Sequence, residues 1–531
     1  PVLIVGSSMV GMTLSTLLAK HGVRGCITVE RHASTAIHPR AALFMPRSME
    51  IYRELGLYEE MRAESAKYYD EKAGIVDVES LAGKFIQSWM NNINEGIEKL
   101  SPTGRLFLTQ NMFEPILHHQ AISDGAQLRF STEMLSFSQD DSGVTALVRN
   151  IDTGEKNLIR ASYMVACDGS RSHVRDQLCI EVKGYGLLSH ALTIYFRADV
   201  ERFIRGKYNG VIYINNEKLR GFIRIDKTGK QGFLVVISAG PKGTEESRFP
   251  ADDITDERAA ELLRAAIGAD VPFDIDLIHK WRAVCDCAER FSKGRVLLAG
   301  DAAHTVTPHG GFGGNTGIQD AHNLAWKLAA VLRGEAGRAL VEETYNDERH
   351  PIGQKTVDQV FVRFIRRSAP ELRQQFEASL EDELPDPYME LGYRYHSRAL
   401  MTEELGDVTE DPATSVARPG SMARHVHVDA DGRTNIPIAD LLKGTFVLLT
   451  GPAAGEWEGA GQQLSKEKGL PYIKTYRVRS REFEQRYNIS SEGFVLVRPD
   501  AFVAWTVWAK PDTESPAIDT LRSVMRRILC L

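Results

Sequence analysis

The sequence predicts a mixed α/β fold, and three observations carry that prediction. The chain opens as strand, glycine-rich turn, helix and strand; a central block alternates apolar and polar residues; and the C-terminal stretch restarts as a separate α/β unit. At 531 residues the chain is long for one domain, and the usual size range suggests about three units. A chain this long buries large cores without disulfide or metal staples.

Residues 2–5 (VLIV) form an apolar, β-branched strand, GSSMVG at 6–11 a tight turn, and 12–20 a helix that Gly22 ends. A second strand follows at 26–30, which completes the βαβ opening of a doubly wound, Rossmann-like sheet. Residues 101–122 read as a strand and a helix containing Gln110 and Glu114. LRFSTEML, TALVRN and ASYMVA then read as strands, with turns at DDSG and DTGE. From 187 to 237 the runs HALTIYFRADV, GVIYIN, RGFIRID and GFLVVIS alternate strongly, which predicts an antiparallel sheet distinct from the nucleotide unit. RVLLAGDAAH returns to a buried strand, followed by a glycine-rich loop and a long helix from about Ile318 to Arg333. Residues 371–418 are acidic, helix-like and then loop-like. FVLLTG, PYIKTYRV and FVLVRP are the strands of the last unit. The domain reading is 1–180 with 280–370 as a discontinuous nucleotide-binding domain and 181–279 as an inserted sheet domain for substrate. Residues 371–417 are a helical segment and linker, and 418–531 a C-terminal domain.

With 43% hydrophobic and 25% charged residues the composition is that of an ordinary globular protein. The net charge of −7 with scattered basic residues argues against a nucleic-acid surface, while leaving room for a small anionic ligand. No apolar run reaches the roughly 18 residues that span a bilayer, and no basic-then-apolar leader precedes the first strand. The six cysteines contain no CxxC pair, which excludes a zinc ribbon or dithiol redox site. Cys285 and Cys287 share one face of a strand and read as core thiols. His38, His118 and His119 have no metal-ligand spacing, so no metal is expected. The reading is of a cytoplasmic protein, monomeric or homodimeric, with no membrane or nucleic-acid partner.

GSSMVG sits where a GxGxxG fingerprint stands, between strand and helix. Gly6 permits the turn, Gly11 the close packing of helix on strand, and Ser8 replaces the second glycine. Backbone N–H groups at the helix start then face a pyrophosphate. Glu30 ends the second strand, where a carboxylate accepts from both ribose hydroxyls and repels a 2′-phosphate. Met9, Val10 and Arg31 complete the residues assigned to this end. ACDGSRSHVR places Asp168 at a strand end. LLAGDAAHTVTPHGGFGGNTGIQDAHNLAWKLA places Asp301 at another, ahead of Gly311, Gly313, Gly314 and Asn315. An aspartate there can accept from a ribityl hydroxyl, and the N–H groups can stabilise charge on a reduced flavin. This second anchor selects FAD over NAD.

Together these motifs resemble the FAD-dependent aromatic hydroxylases, single-component flavoprotein monooxygenases related to p-hydroxybenzoate hydroxylase and phenol hydroxylase. The polyketide and anthracycline hydroxylases, which carry a C-terminal thioredoxin-like domain, are the most similar branch. The resemblance spans most of the chain, including PRAALFMPRSMEIYRELGL at 39–57 and VLVRPDAFVAW at 495–505. It implies tight, non-covalent FAD, with NADPH or NADH as transient co-substrate. Oxygen transfer from O₂ by way of a flavin C4a-hydroperoxide to a small phenolic or polyketide-like aromatic is also implied. It assigns Arg40 to the pyrophosphate, Gln110 and Asp301 to the ribityl chain, and Gly314 and Asn315 to the pyrimidine edge. Asp168 and Arg175 assist, and the Pro308 carbonyl faces the reacting centre. Small Ala41 and Ala42 leave room for the flavin to swing. Two departures stand out: the loop TPHGGFGGN has Thr307 and Gly314 where the family has proline and methionine, and the C-terminal domain has no CxxC.

Tyr213 and Arg224, on the alternating sheet, are candidates for substrate contact, with Tyr195 and His309 as further candidates. The other reading of each is packing or solvent exposure, set by strand face. His304 reads as structural and Trp326 as core. Baeyer–Villiger insertion into a polycyclic ketone and a non-catalytic FAD- or ligand-binding protein are the competing functions.

Overall fold

The computed structural model describes residues 1–38, 43–207, 209–239, 254–370, 373–377, 380–402, 406–509 and 515–531. Arg40, Ala41 and Ala42 therefore lie outside the described residues. The mixed α/β class is as the sequence predicts.

Val2–Val5, Tyr163–Ala166 and Val296–Leu298 are fully buried apolar strands at the centre of a six-stranded sheet. They pair in parallel with one another and with Ile27–Val29 and Gln127–Arg129, so the ends that carry Gly6, Cys167 and Ala299 point the same way. Helix Met9–Lys20 packs on this sheet and on the long helix Phe312–Leu332. That long helix begins six residues before the predicted Ile318, because three glycines read as loop are helical. Gly317 explains the choice: a Cβ there would stand 2.6 Å from Val10 Cγ2 and 2.9 Å from Gly300 Cα. Glycine is thus kept for close approach, and its helix-breaking cost of about 1 kcal/mol is outweighed.

The second sheet has eight strands, and it draws on segments outside 181–279. Gly74–Val78 and Phe85–Met90 form one end; His304–Thr305 pairs with Phe273–Ala288 at the other. Alternation gives this sheet two different faces. Leu192, Ile194, Ile212, Ile223 and Leu234 pack on helix Asp256–Ile267. That helix is capped by the Thr255 side chain at its start and by left-handed Gly268 at its end. The opposite face carries Thr193, Tyr195, Tyr213, Phe222, Arg224 and Phe233, and it lines the cavity described below.

The stretch read as a linker is packed rather than solvated. Tyr393 and Tyr395 are fully buried, and the Tyr395 ring stacks on Phe502 with centroids 3.9 Å apart. Its acidic residues are paired: Glu390 with Arg105 from far along the chain, and Glu410 with the nearby Arg418 and Arg424. Such a charge run reads as linker in sequence although the fold buries it.

In the C-terminal unit Phe446–Thr450 runs parallel to Ile473–Arg479 and antiparallel to Phe494–Val497, which pairs with Val503–Val507. Helices Gly455–Leu464 and Ala517–Ile528 pack together on one side. This unit is joined to the body by a buried ionic cluster. Arg498 donates to both oxygens of Glu348 (2.6 and 2.9 Å) and pairs with Asp500; Lys327 and Asn323 donate to Glu348 at 2.7 Å. Lys327 and Asn323 belong to the long helix Phe312–Leu332, so this cluster ties the C-terminal unit to it. No described helix is long and apolar enough to cross a membrane.

Candidate active site

The parallel sheet delivers three loops to one end of its strands. The first is the 6–11 turn. Gly6 has φ +103°, and a Cβ on it would stand 2.2 Å from the Cys167 carbonyl oxygen. A Cβ on Gly11 would stand 1.9 Å from the Gly6 carbonyl oxygen. No side chain fits at either position. Ser8 points away from the approach its glycine counterpart would leave: its hydroxyl donates to Glu114 Oε1 at 2.6 Å and accepts from Gln110 Nε2 at 2.7 Å. Glu114, buried, also accepts from Gln110 Nε2 and from the Ala36 amide. The sequence showed Glu114 on the Gln110 helix without assigning it this clamp. Glu30 accepts from the Ser7 and His32 amides (2.8 and 3.0 Å), which fixes its carboxylate at the strand end.

The second loop carries Asp168. Burial pushes its carboxyl above the ordinary range, although the Ser172 hydroxyl and the Val174 amide favour the charged form. Its Oδ1 is buried with no protein hydrogen-bond partner among the described residues. Arg175 donates to the carbonyls of Ser170 and Ala302, tying this loop to the next.

The third loop holds Asp301 on a short turn, exposed, beside left-handed Gly300. Beneath it Asp320 accepts from the Gly300 amide (3.0 Å), His304 Nε2 (2.7 Å) and Arg349 Nε (2.7 Å). Burial alone would raise Asp320; Arg349 and His304 outweigh it and hold it below the usual carboxylate range. His304 thus supports the turn from within. Next, Gly311, with φ +74°, starts the long helix, whose first-turn N–H groups have no intrahelical acceptor. The Asn315 side chain donates to the carbonyls of Leu43 and Gly311 and accepts from the Met45 amide and Ser48 hydroxyl. It is spent on holding loop to helix, which leaves main chain at the helix start to face a ligand.

A cavity of about 1220 Å³ opens over these loops. Met9, Arg31, Asp168, Asp301, Gly311, Gly313, Gly314 and Asn315 border one end; Gly6, Ser8, Val10, Gly11, Glu30 and Gln110 lie outside its lining. The other end is bordered by Tyr195, Tyr213, Phe222, Arg224 and Phe233. Cross-strand pairing puts Tyr195 opposite Phe233, Phe233 opposite Arg224, and Tyr213 opposite Phe222. Their rings form a ladder with centroids 5.9 to 6.5 Å apart. Arg224 lies over the rings of Phe107 (4.3 Å) and Tyr69 (4.8 Å). Tyr213 hydrogen-bonds Arg367; burial keeps its phenol raised despite that cation, so it stays a neutral donor.

Pro308 lines the cavity, and its carbonyl accepts the Gly311 amide at 3.1 Å. His309 corrects its expected place. It lies outside the lining, buried between Thr307 Oγ1 (2.8 Å) and Ser368 Oγ (2.7 Å), with its ring edge-on to Phe364. Burial, reinforced by Arg367, lowers its pKa to about 3, so it is a neutral loop anchor.

A family model described as an FAD binding domain matches residues 1–360, and one described as aromatic-ring hydroxylase, C-terminal, matches 416–530. A 4-methyl-5-nitrocatechol 5-monooxygenase of a Burkholderia species is 45% identical over 99% of this chain and 98% of its own. The chain belongs to the FAD-dependent aromatic-ring hydroxylases. An aklavinone 12-hydroxylase of Streptomyces purpurascens is 34% identical over 99% of this chain and 98% of its own. The crystal structure of an aklavinone-11 hydroxylase with FAD and aklavinone superposes with a TM-score of 0.91 at 32% identity, covering 100% of this chain and 99% of that one.

The hydroxylase cradle fits FAD on its own geometry. Gly6 and Gly11 stand where a Cβ would clash, the buried Asp168 Oδ1 has no hydrogen-bond partner among the described residues, and the long helix presents its first turn to the cavity. Sequence reading missed Phe222, Phe233 and Arg367. Strand alternation could have found Phe222, two residues before Arg224 on one strand; Phe233 needs the register that pairs it with Tyr195 and Arg224.

Proposed function

We propose that this hydroxylase uses NAD(P)H and O₂ to add one oxygen atom to a phenolic ring. A single observation carries the reading: one cavity joins the flavin cradle to an aromatic ladder. When bound, FAD supplies the electron transfer and oxygen activation. The chain's own residues do the rest. Asp168, Asp301 and the helix start would hold the flavin. Tyr195, Phe222 and Phe233 offer ring faces and edges to a flat substrate, an arrangement that favours offset or edge-to-face packing. Tyr213, kept neutral, can donate to a substrate oxygen with the Arg367 cation beside it, and Arg224 lines the same cavity. An apolar wall also excludes water from the reacting end.

The C-terminal unit, a six-stranded sheet whose central parallel pair has two antiparallel strands on each side, with helices packed on it, supports a thioredoxin-like reading. Lacking CxxC, it serves as a packed support rather than a redox module.

The test uses purified protein, which should be yellow. NAD(P)H oxidation should accelerate when a phenol such as 4-methyl-5-nitrocatechol is added; a ring C–H that is attacked gains one oxygen, and a nitro-bearing carbon that is attacked gains one oxygen while the nitro group leaves as nitrite. Oxidation indifferent to every phenol tried, with unchanged substrate mass, would sink the proposal.

A further inference from the structure

The substrate end has one wall that neither sheet supplies. Residues 383–386 line the cavity, and they belong to the segment 380–386 laid across helix Thr344–Arg367. Lys355, Gln359, Arg363 and Arg367 recur every fourth residue on that helix, hence on one face. All four bond to the segment. Lys355 pairs with Glu381 at 2.6 Å, and Arg367 donates to Glu383 at 2.9 Å. Arg363, fully buried, donates to the Leu384 carbonyl (2.7 Å) and to Asp386 (3.0 Å).

Gln359 is the centre of this attachment and is itself 0% exposed. Its carbonyl oxygen accepts the Leu384 amide at 2.8 Å; its amide donates to the Asp382 carbonyl at 2.9 Å and to Glu381 at 3.1 Å. One carboxamide thus pairs with main chain on both sides of Glu383, as a neighbouring strand would. Just past the segment, at the end of helix Asp386–Glu390, Arg105 pairs with both oxygens of buried Glu390 at 2.7 Å. Arg363 also lies over the Phe312 ring at 4.8 Å, so the same side chain touches the start of the flavin helix.

We propose that residues 380–386 are a fixed strap that sets which phenols the cavity admits, and that Gln359 is the positioning residue that fixes it. The proposal rests on the phenol hydroxylase reading. Leu384 and Pro385 are the strap's apolar contribution to the wall; Leu380 and Leu384 also pack on the core, and the hydrogen bonds to Gln359 fix the main chain between them. Removing the Gln359 carboxamide therefore lets the wall move, while Gly6, Gly11, Asp168 and Asp301, which make no bond to Gln359, keep the flavin cradle.

The experiment compares wild type, Gln359→Ala and Leu384→Ala holoenzymes, with FAD content as the control for folding. Amide exchange over 380–386 should quicken about tenfold or more in Gln359→Ala, the effect of losing buried hydrogen bonds. Affinity is read from the flavin spectrum with two probes, 4-methyl-5-nitrocatechol and a three-ring dihydroxyanthraquinone. The ratio of their Kd values should shift about fivefold toward the larger probe in both variants. Leu384→Ala breaks no hydrogen bond, so it decides the specificity role if Gln359→Ala does not fold, and the milder Gln359→Glu, which loses only the amide donor, then decides the positioning role by exchange. An unchanged ratio in the folded variants overturns the specificity role, and unchanged exchange overturns the positioning role. A wild type that binds neither probe removes the phenol reading and the specificity role with it, while exchange still decides whether Gln359 holds the strap.

Discussion

At the flavin end the cavity rests on closely packed main chain, with Gly311, Gly313 and Gly314 among the residues that border it. At the substrate end it is bounded by side chains. Gly6, Gly11, Gly300 and Gly317 bring strand, turn and helix so close that a Cβ would lie within 3 Å of a neighbour at each. The substrate end instead gathers Tyr195, Tyr213, Phe222, Arg224 and Leu384 from separate strands and a strap. The difference teaches where each end is vulnerable. A cradle of backbone tolerates no added atom, whereas a wall of side chains can change by one group at a time.

The largest effect should come from adding one carbon to the cradle. Gly11→Ala sets a Cβ 1.9 Å from the Gly6 carbonyl, and helix Met9–Lys20 must move to relieve it. We expect a cost of about 3 kcal/mol or more, with loss of bound FAD. The ratio of flavin to protein absorbance checks it. A yellow, normally stable variant would show that the helix does not press on the turn.

Next in size is the cluster that ties the C-terminal unit to the flavin helix. Arg498→Met leaves Glu348 buried with a weakened set of cations, and breaking such a pair costs about 3–5 kcal/mol. Because Lys327 and Asn323 sit on the helix whose first turn faces the cavity, FAD affinity should fall along with stability. Denaturation with flavin release followed in the same sample tests this. Loss of stability with full flavin retention would confine the cluster to holding the domains together.

The same contrast explains what the sequence made legible. Backbone sites leave glycine and strand-end acid signatures at short spacing, so Gly6, Gly11, Glu30, Asp168 and Asp301 could be picked out. Side-chain sites leave parity and pairing, which need the strand register. Tyr213 and Arg224 were found by alternation; Phe222, two residues before Arg224 on one strand, shares its face by the same parity, whereas Phe233 emerges only from the register that sets it opposite Tyr195 and Arg224. The strap was hidden for another reason. Its acids, Glu381, Glu383 and Asp386, read as a solvated linker until helix Thr344–Arg367 brings arginines and Lys355 to meet them. His309 was misplaced because a histidine beside a glycine loop looks the same in sequence whether it faces the cavity or the core.

His309 offers a pH test. Its pKa is lowered by burial from 6.5 to about 3, so between those values the unfolded chain takes up a proton that the folded chain refuses. Stability should therefore fall as pH drops from 6.5 toward 3, by on the order of a few kcal/mol from this group. His309→Asn should flatten that slope in urea titrations at stepped pH. An unchanged slope would mean that His309 is protonated in the fold.

The smallest effect belongs to the wall, and it asks whether side chains there act singly. Tyr213→Phe removes one hydroxyl. Arg367 keeps its bond to Glu383, and the ring keeps its edge contact with Phe222, centroids 5.9 Å apart. The cradle is not touched, so FAD content should match wild type. What is lost is a neutral donor facing the cavity, worth about 1 kcal/mol when its partner is a substrate oxygen. KM for a phenol should rise several-fold, and kcat should change less if the contact is made equally in ground and transition states. An unchanged KM would remove Tyr213 from the substrate contacts. A fall in kcat with KM constant would mean that the hydroxyl acts on the reacting ring rather than on its binding. An altered flavin content would be the most informative failure, because it would show that the side-chain wall and the backbone cradle are not separable.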